Sequence, residues 1–224
     1  MKAGAKKAAK PVRSTRKVKR PPTQEERSGK SRQQILEASL KLFSHRGYGA
    51  TSVQDIADEA EVSKGNVYHH FADKETIFRA LLDQYFEAIS QPDFPFNRAL
   101  ASGTFPDNLE ELGRAARESV RDYRQHVALI YVDVVEFDGT HVRKFYSDMS
   151  SRFEKFLKIR GMDEAIRKKI DKGLSPTSAV MLATRIFYNY FSVEILFGVK
   201  NHFGKGTDDV IGEISRILRK GMLR

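Results

Sequence analysis

The chain of 224 residues contains no cysteine. Disulfides, thiolate metal sites and a cysteine nucleophile are therefore excluded, which fits the reducing cytoplasm in which we expect the protein to work. The six histidines lack the spacing of a zinc-protease motif, and neither a Ser–His–Asp set nor a pair of carboxylates stands out. We predict that the protein is not an enzyme and needs no cofactor.

A metal site is also poorly supported. His126, Asp133, Glu136 and His141 lie within sixteen positions and could converge on one ion. Four polar residues at such spacing are more often parts of solvated helix faces. We therefore predict no metal.

Long uninterrupted apolar runs are missing as well. Val127–Phe137 is apolar but, at eleven residues, too short to span a bilayer. The predicted helix Pro176–Val199 is longer. Arg185, Asn189 and Glu194 lie near its middle, where each ionised side chain would cost a few kcal/mol in lipid. We expect no membrane segment, and the first residues also lack the apolar part of a signal peptide.

Alternating apolar and polar residues flanked by hairpin turns, the pattern of a β-sheet, do not occur. Apolar residues instead recur at helical spacing, so the predicted fold class is all-α. Besides two short helices described below, the pattern predicts helices at Ser31–Arg46, Lys74–Ser90, Asp107–Arg124, Val127–Phe137, His141–Arg160, Pro176–Val199 and Thr207–Met222.

The net charge of +10 is concentrated at the N-terminus. Residues 1–30 contain eleven Lys or Arg side chains against two Glu, so they carry +9 of that charge. With almost no apolar residues, this segment cannot offset the entropy cost of ordering, and we predict a disordered basic tail. The tail is either a solvated extension or an arm that adds sequence-independent contacts to phosphates.

The most informative stretch is Thr51–Lys74, TSVQDIADEAEVSKGNVYHHFADK. Thr51 or Ser52 is suited to cap a first short helix, with Gln54 or Asp55 completing a capping box. Ser63 is suited to cap a second helix that follows a tight turn. The pattern predicts two helices whose apolar faces pack inward while polar side chains of the second point outward.

This stretch, preceded by ILEASLKLFSHRGYGAT, resembles the DNA-binding domain of the TetR family of transcriptional regulators over roughly residues 31–90. The resemblance implies an N-terminal helix-turn-helix domain of three helices at 31–90 and a C-terminal helical domain at 91–224. One departure is Glu61, which stands where the family usually has Gly. A residue other than Gly in a left-handed turn costs roughly 1–2 kcal/mol.

For a helix-turn-helix, the second helix enters the major groove with its N-terminal end against the bases. Ser63–Asn66 are then predicted to approach bases, and Tyr68, His70, Lys74 and the Thr51–Ser52 cap to hold phosphates. The alternative is that Tyr68 and His70 only seal the domain. The full set of predicted DNA-binding residues is Thr51, Ser52, Gln54, Ser63, Lys64, Gly65, Asn66, Tyr68, His69, His70 and Lys74.

The C-terminal region is larger than DNA binding requires, and the resemblance implies that it binds a small effector and forms a homodimer. We expect Pro176–Val199 and Thr207–Met222 to pair with their symmetry mates; the alternative is that both pack within one subunit. An apolar or aromatic effector, with any anionic end on Arg185, is predicted. Its predicted site is Tyr131, Phe137, Phe145, Arg185, Tyr188 and Asn189. The aromatics could equally fill the core while Arg185 pairs with Glu136 or Asp133.

Together these features predict a transcriptional regulator, most simply a repressor released from a palindromic operator of double-stranded DNA by its effector. Two alternatives stay open. One is a constitutive architectural DNA binder that uses the basic tail and has no effector. The other is a helical enzyme or carrier that also has a DNA-binding module.

Overall fold

The computed structural model describes residues 23–223, and within them the fold is helical. A single β-bridge, between Ile170 and Leu223, is the one exception. No helix in residues 23–223 combines the length and apolar character needed to cross a membrane. The helices are α1 (Gln24–Arg46), α2 (Val53–Glu59), α3 (Lys64–His70), α4 (Lys74–Ala88), α5 (Pro95–Leu100), α6 (Leu109–Asp122), α7 (Arg124–Glu136), α8 (Arg143–Ser147), α9 (Met149–Ile159), α10 (Met162–Lys169), α11 (Pro176–Leu196) and α12 (Thr207–Met222).

Helix α1 begins at Gln24, so the prediction that it starts at Ser31, after a disordered tail, is wrong for residues 24–30. Thr23 and Glu26 form a capping box there, with the Glu26 carboxylate accepting the Thr23 N–H at 2.6 Å. Two backbone donors at the helix start are thereby satisfied. The rest of the predicted tail, residues 1–22, lies outside the described residues. At its other end α1 stops at Gly47, whose φ of 85° is easily adopted only by glycine.

Helices α1–α4 enclose a core of their own. Ile35 and Phe43 from α1, Ile56 from α2 and Phe78 from α4 are fully buried in it. The same core includes Leu129 of α7. Packing therefore continues across the predicted boundary near Ser90, and α7 is the helix of the C-terminal region that touches both α1 and α4.

A second core lies among α5, α6, α11 and α12, with Phe187 and Phe191 of α11 at its centre. Gly113 of α6 lies where these helices cross. A Cβ atom built there would be 2.8 Å from the ring of Phe187 and 2.9 Å from Ile211. The close approach of α6, α11 and α12 therefore depends on that glycine.

The single helix predicted at His141–Arg160 is wrong, because the segment forms α8 and α9 with a break at Asp148. Just before the break, the Ser147 hydroxyl donates to the Lys144 carbonyl at 2.8 Å. A side-chain bond of this kind to the backbone competes with a continuous helical ladder. The short helix α10, which follows the left-handed Gly161, was not predicted.

Candidate nucleic-acid interface and ligand cavity

The predicted caps begin α2 and α3, the two helices on either side of the tight turn. Ser52 accepts the Asp55 N–H at 3.1 Å, and the Asp55 carboxylate accepts the Ser52 N–H at 2.7 Å. Ser63 accepts the Asn66 N–H at 3.1 Å and so caps α3. Val67 and Phe71 are buried beneath α3, as predicted, which turns the opposite face of this helix to solvent.

Glu61 in that turn has a φ of 55°. It therefore adopts the left-handed conformation that its family counterpart occupies as glycine, at the cost of roughly 1–2 kcal/mol given above. Two backbone bonds hold the turn in spite of that cost, from Glu61 N–H to Asp58 O at 3.2 Å and from Val62 N–H to Ala57 O at 3.0 Å.

Most of the predicted DNA-binding residues are exposed. Tyr68 is 50% exposed. The other exposed members are Ser52, Gln54, Ser63, Lys64, Gly65 and His69. A Cβ at Gly65 would meet no protein atom closer than 3.9 Å, so the fold itself does not require a glycine there. An absent side chain at the exposed start of α3 permits close approach of a ligand to the backbone.

Two members of the predicted set point inward instead. Thr51 is 1% exposed, and its hydroxyl donates to Gly47 O at 2.9 Å. Lys74 donates to the carbonyls of Tyr48 and Thr51, each at 2.7 Å. Burial lowers the Lys74 pKa, although the nearby Glu136 carboxylate acts in the opposite direction. Their contacts within the domain therefore argue against direct phosphate binding by these two side chains.

Asn66 and His70 are half-buried. Asn66 Oδ1 and His70 Nε2 have no hydrogen-bond partner within residues 23–223. Burial lowers the pKa of His70, and the charges of His69 and Arg32 lower it further, so this imidazole is kept neutral. Asn66 would have to turn its amide outward to reach a base edge.

A cavity of about 750 Å³ lies between the end of α4 and the helices α5, α7, α8, α9 and α11. Eight of its twenty lining residues are aromatic, and a volume of this size suits a small organic ligand. Phe145 in the wall stacks on Phe86 of α4, with ring centroids 4.2 Å apart and an interplanar angle of 5°. The main lining residues are Tyr85, Ile89, Phe94, Phe96, Ile130, Phe145, Tyr146, Arg152, Phe153, Phe156, Arg185 and Tyr188.

The charged groups of the cavity are predominantly cationic. Arg185 lies over the Tyr146 ring at 4.8 Å, and Arg152 lies over the Phe145 ring at 5.0 Å and donates to the Ser90 hydroxyl. Lys155 and the single carboxylate Asp148 complete the charged lining. Burial raises the pKa values of Tyr146 and Tyr188, so both phenols stay neutral donors. An anionic group would be favoured here over a cationic one.

Of the predicted effector residues, Phe145, Arg185 and Tyr188 line the cavity. Phe137 does not, because its ring packs at 4.6 Å from Tyr48 in the N-terminal core. Tyr131 is 42% exposed against Phe197, and Asn189 is exposed on the outer face of α11. The contribution of α5 to the cavity was not predicted, because apolar spacing reveals which face of a helix is buried but not against which helix.

The four residues considered for a metal do not come together. Asp133 accepts from His141 Nδ1 at 2.6 Å, whereas Glu136 binds backbone N–H groups of the turn after α1. His126 stacks on Tyr85, and burial lowers its pKa to about 4. The alternative in which Arg185 pairs with Asp133 or Glu136 is also wrong, since both carboxylates have these other partners.

Comparison with known proteins adds the following. Residues 35–81 match the model of a family described as bacterial regulatory proteins, tetR family. The chain is 32% identical over 167 residues to the HTH-type transcriptional repressor KstR2 of Rhodococcus jostii, a match that covers 69% of this chain and 78% of that protein. It is 34% identical over 102 residues to an uncharacterized HTH-type transcriptional regulator, YuxN of Bacillus subtilis, covering 46% of this chain but 30% of that protein. The solved structure of the ketosteroid transcriptional regulator KstR2 of Mycobacterium tuberculosis has the same fold, with a TM-score of 0.56, 20% identity, and coverage of 86% of this chain and 95% of that one.

Proposed function

We propose, from the premise that this chain belongs to the TetR family of bacterial regulatory proteins, that it represses transcription by binding a palindromic operator and is released by a small effector. The main support for the proposal is that one helix, α4, contributes both to the N-terminal core and to the cavity. The N-terminal half of α4 is buried in the same core as Val67 of α3, where it packs on α1 and α7, and its C-terminal end forms a wall of the cavity. A ligand in the cavity therefore touches a helix that shares a core with α3.

The DNA-binding half of the proposal rests on α3. At its exposed start, Gly65 has no side chain to keep a ligand from the backbone, Lys64 supplies a cation, and Asn66 supplies a half-buried amide. Asparagine can contact adenine through two hydrogen bonds in the major groove. Tyr68, farther along the helix, is the exposed hydroxyl best placed for a phosphate.

Replacing Asn66 with alanine is expected to change the preference for one base pair per half-site by about 1–3 kcal/mol, because a base contact carries sequence information. Tyr68→Phe, which removes only a hydroxyl, should weaken binding to all sequences alike, because phosphate contacts carry none. Selection of binding sites from random duplexes with each variant measures both effects. An unchanged preference for Asn66→Ala would show that this side chain does not read a base.

The homodimer is proposed from the outer face of α11. Leu182 is 49% exposed and Ile186 40% exposed, and Asn189 continues the same stripe at helical spacing. Ile217 of α12 is 69% exposed. A two-fold pairing of these helices would cover the stripe and place two copies of α3 at the spacing of two half-sites, roughly 34–36 Å.

The proposed effector is an apolar molecule with rings or a long chain and one anionic group. Aromatic walls favour the apolar part, and Arg185, Arg152 and Lys155 favour the anion over the single carboxylate Asp148. The similar protein from M. tuberculosis is called a ketosteroid regulator. Steroid acids therefore belong in the first set of compounds to test, beside long-chain fatty acids and aromatic acids.

In a thermal-shift screen of such acids we expect a ligand that stabilises the protein and whose affinity falls about tenfold or more in Arg185→Ala, because charge-assisted hydrogen bonds contribute more than neutral ones. Arg98→Ala, at an exposed position of α5 outside the cavity, is the matched control. The neutral alcohol that corresponds to each active acid should bind wild type and Arg185→Ala equally.

The same ligand must bind more weakly when DNA is present. A tenfold reduction of DNA affinity requires about 1.4 kcal/mol of coupling, which is ordinary for allosteric proteins, and the effect on ligand affinity must be equal. A ligand that binds equally with and without DNA would leave the protein without an effector switch. The architectural DNA binder would then be the better description.

A further inference from the structure

The turn Gly47–Gly49, which connects α1 to the cap of α2, is held by a residue of the C-terminal region. Glu136, the last residue of α7, accepts the Tyr48 N–H through Oε1 at 2.8 Å and the Gly49 N–H through Oε2 at 2.5 Å. Glu136 and Tyr48 are 88 positions apart in sequence. One carboxylate thus binds two successive backbone donors of the DNA-binding domain.

Lys74 binds the same turn through its carbonyls. Its ammonium donates to Tyr48 O and Thr51 O, and it lies 4.0 Å from the centroid of the Tyr48 ring. That ring in turn packs edge-on against Phe137, which follows Glu136 in the chain. The turn therefore has a cation of α4 on its carbonyls and an anion of α7 on its N–H groups.

Two glycines leave room for this carboxylate. A Cβ at Gly47 would be 2.8 Å from Glu136 Oε1, and a Cβ at Gly49 would be 2.9 Å from Oε2. Gly47 also needs its positive φ, but Gly49 does not have one. The contact with Glu136 is therefore the reason in the fold for a glycine at position 49.

We infer that Glu136 is a positioning residue for DNA binding: it fixes the turn Gly47–Gly49, and with it α2 and α3, relative to the C-terminal region. The inference rests on the proposed function. Ser52, the cap of α2, lies three residues after Gly49, so a displacement of α7 is transmitted to α2 through the two hydrogen bonds of Glu136 and this short connection. With Glu136 removed, the packing of α7 on α1 and α4 remains, but the turn loses the two hydrogen bonds that fix it.

The test uses a duplex selected from random DNA by the wild-type protein and a second duplex in which one half-site is scrambled. Glu136→Ala and Glu136→Gln are expected to bind the intact duplex about tenfold more weakly, within the usual range of coupling between sites. Their affinity for the scrambled duplex should equal that of wild type, because one half-site does not depend on the separation of two α3 helices. Glu111→Gln, an exposed position of α6, is the control for the loss of charge.

Gly49→Ala supplies an independent variant. Its methyl group displaces the Glu136 carboxylate, so the single variant should match Glu136→Ala, and the double variant should be no weaker than either. In Glu136→Gln, the amide protons of Tyr48 and Gly49 should shift upfield in nuclear magnetic resonance spectra, because the side-chain amide has one acceptor oxygen in place of two and carries no charge.

Three results would overturn the assignment of Glu136: unchanged affinity for the intact duplex, an equal loss on both duplexes, or additive losses for Gly49→Ala and Glu136→Ala. If the wild-type protein selects no duplex, the proposed function fails, and with it the role of Glu136 in DNA binding. Selection by wild type followed by any of the three results rejects the role of Glu136 alone.

Discussion

Replacing Asp133 with alanine is expected to lower the free energy of unfolding by about 2–5 kcal/mol, because each buried donor left without an acceptor costs about 1–3 kcal/mol. Asp133 is fully buried. Its Oδ1 accepts from His141 Nδ1 at 2.6 Å, and its Oδ2 accepts the Val142 N–H at 3.1 Å. Truncation would leave both donors without an acceptor, inside the region where α7 meets the N-terminal core.

Urea unfolding of the wild type, Asp133→Ala and Asp133→Asn measures this effect. Asparagine keeps one acceptor in the same place, so its loss should be clearly smaller. The midpoint concentration should fall while the dependence on denaturant stays constant, which indicates a change of stability without a change of the unfolded state. A loss of less than about 1 kcal/mol for Asp133→Ala would show that the pair contributes little.

The pair illustrates what the sequence could not reveal. Asp133 and His141 are eight positions apart, on either side of the turn at Gly139, and the pattern there was interpreted as solvated polar faces. Only the packing of α7 on α1 and α4 buries them. Helical periodicity identifies an apolar face but carries no information about a polar residue that is buried by a distant helix.

Local signals, in contrast, were sufficient to predict the helices of the helix-turn-helix. The caps at Ser52 and Ser63 and the stop at Gly47 are determined by hydrogen bonds within a few residues, and all three are present in the fold. The start of α1 had an equally local signal. Thr23 and Glu26 have the spacing of a capping box, and this signal sets the start of α1 within a segment whose composition otherwise favours disorder.

The cavity stands between these cases. Phe145 and Tyr188, two of the aromatic residues predicted for the effector site, line it. Phe137 and Asn189 lie in segments with a similar pattern of apolar and aromatic residues. Their side chains, however, face the N-terminal core and the outer surface, respectively. Because several helices meet at the cavity, its lining depends on their mutual angles, which no local pattern determines.

Ile186→Asp is expected to separate the proposed homodimer into monomers at micromolar concentration. In a two-fold dimer every substitution occurs twice, so two carboxylates would be buried in the apolar stripe of α11. Burying an unpaired ion costs several kcal/mol, and two of them weaken association by more than about a thousandfold. Affinity for the intact duplex should fall with the dimer, since each monomer retains one reading helix.

Light scattering distinguishes a mass near the 25.5 kDa of one chain from twice that value. Ala165→Asp, which adds the same charge at an exposed position of α10, should remain dimeric. Circular dichroism of Ile186→Asp should match that of the wild type. The Ile186 side chain is 40% exposed in the single chain, so the core of the subunit does not depend on Ile186. If the wild type itself scatters as a monomer at micromolar concentration, the stripe has no partner copy, and the two α3 helices cannot be held at the spacing of a palindrome.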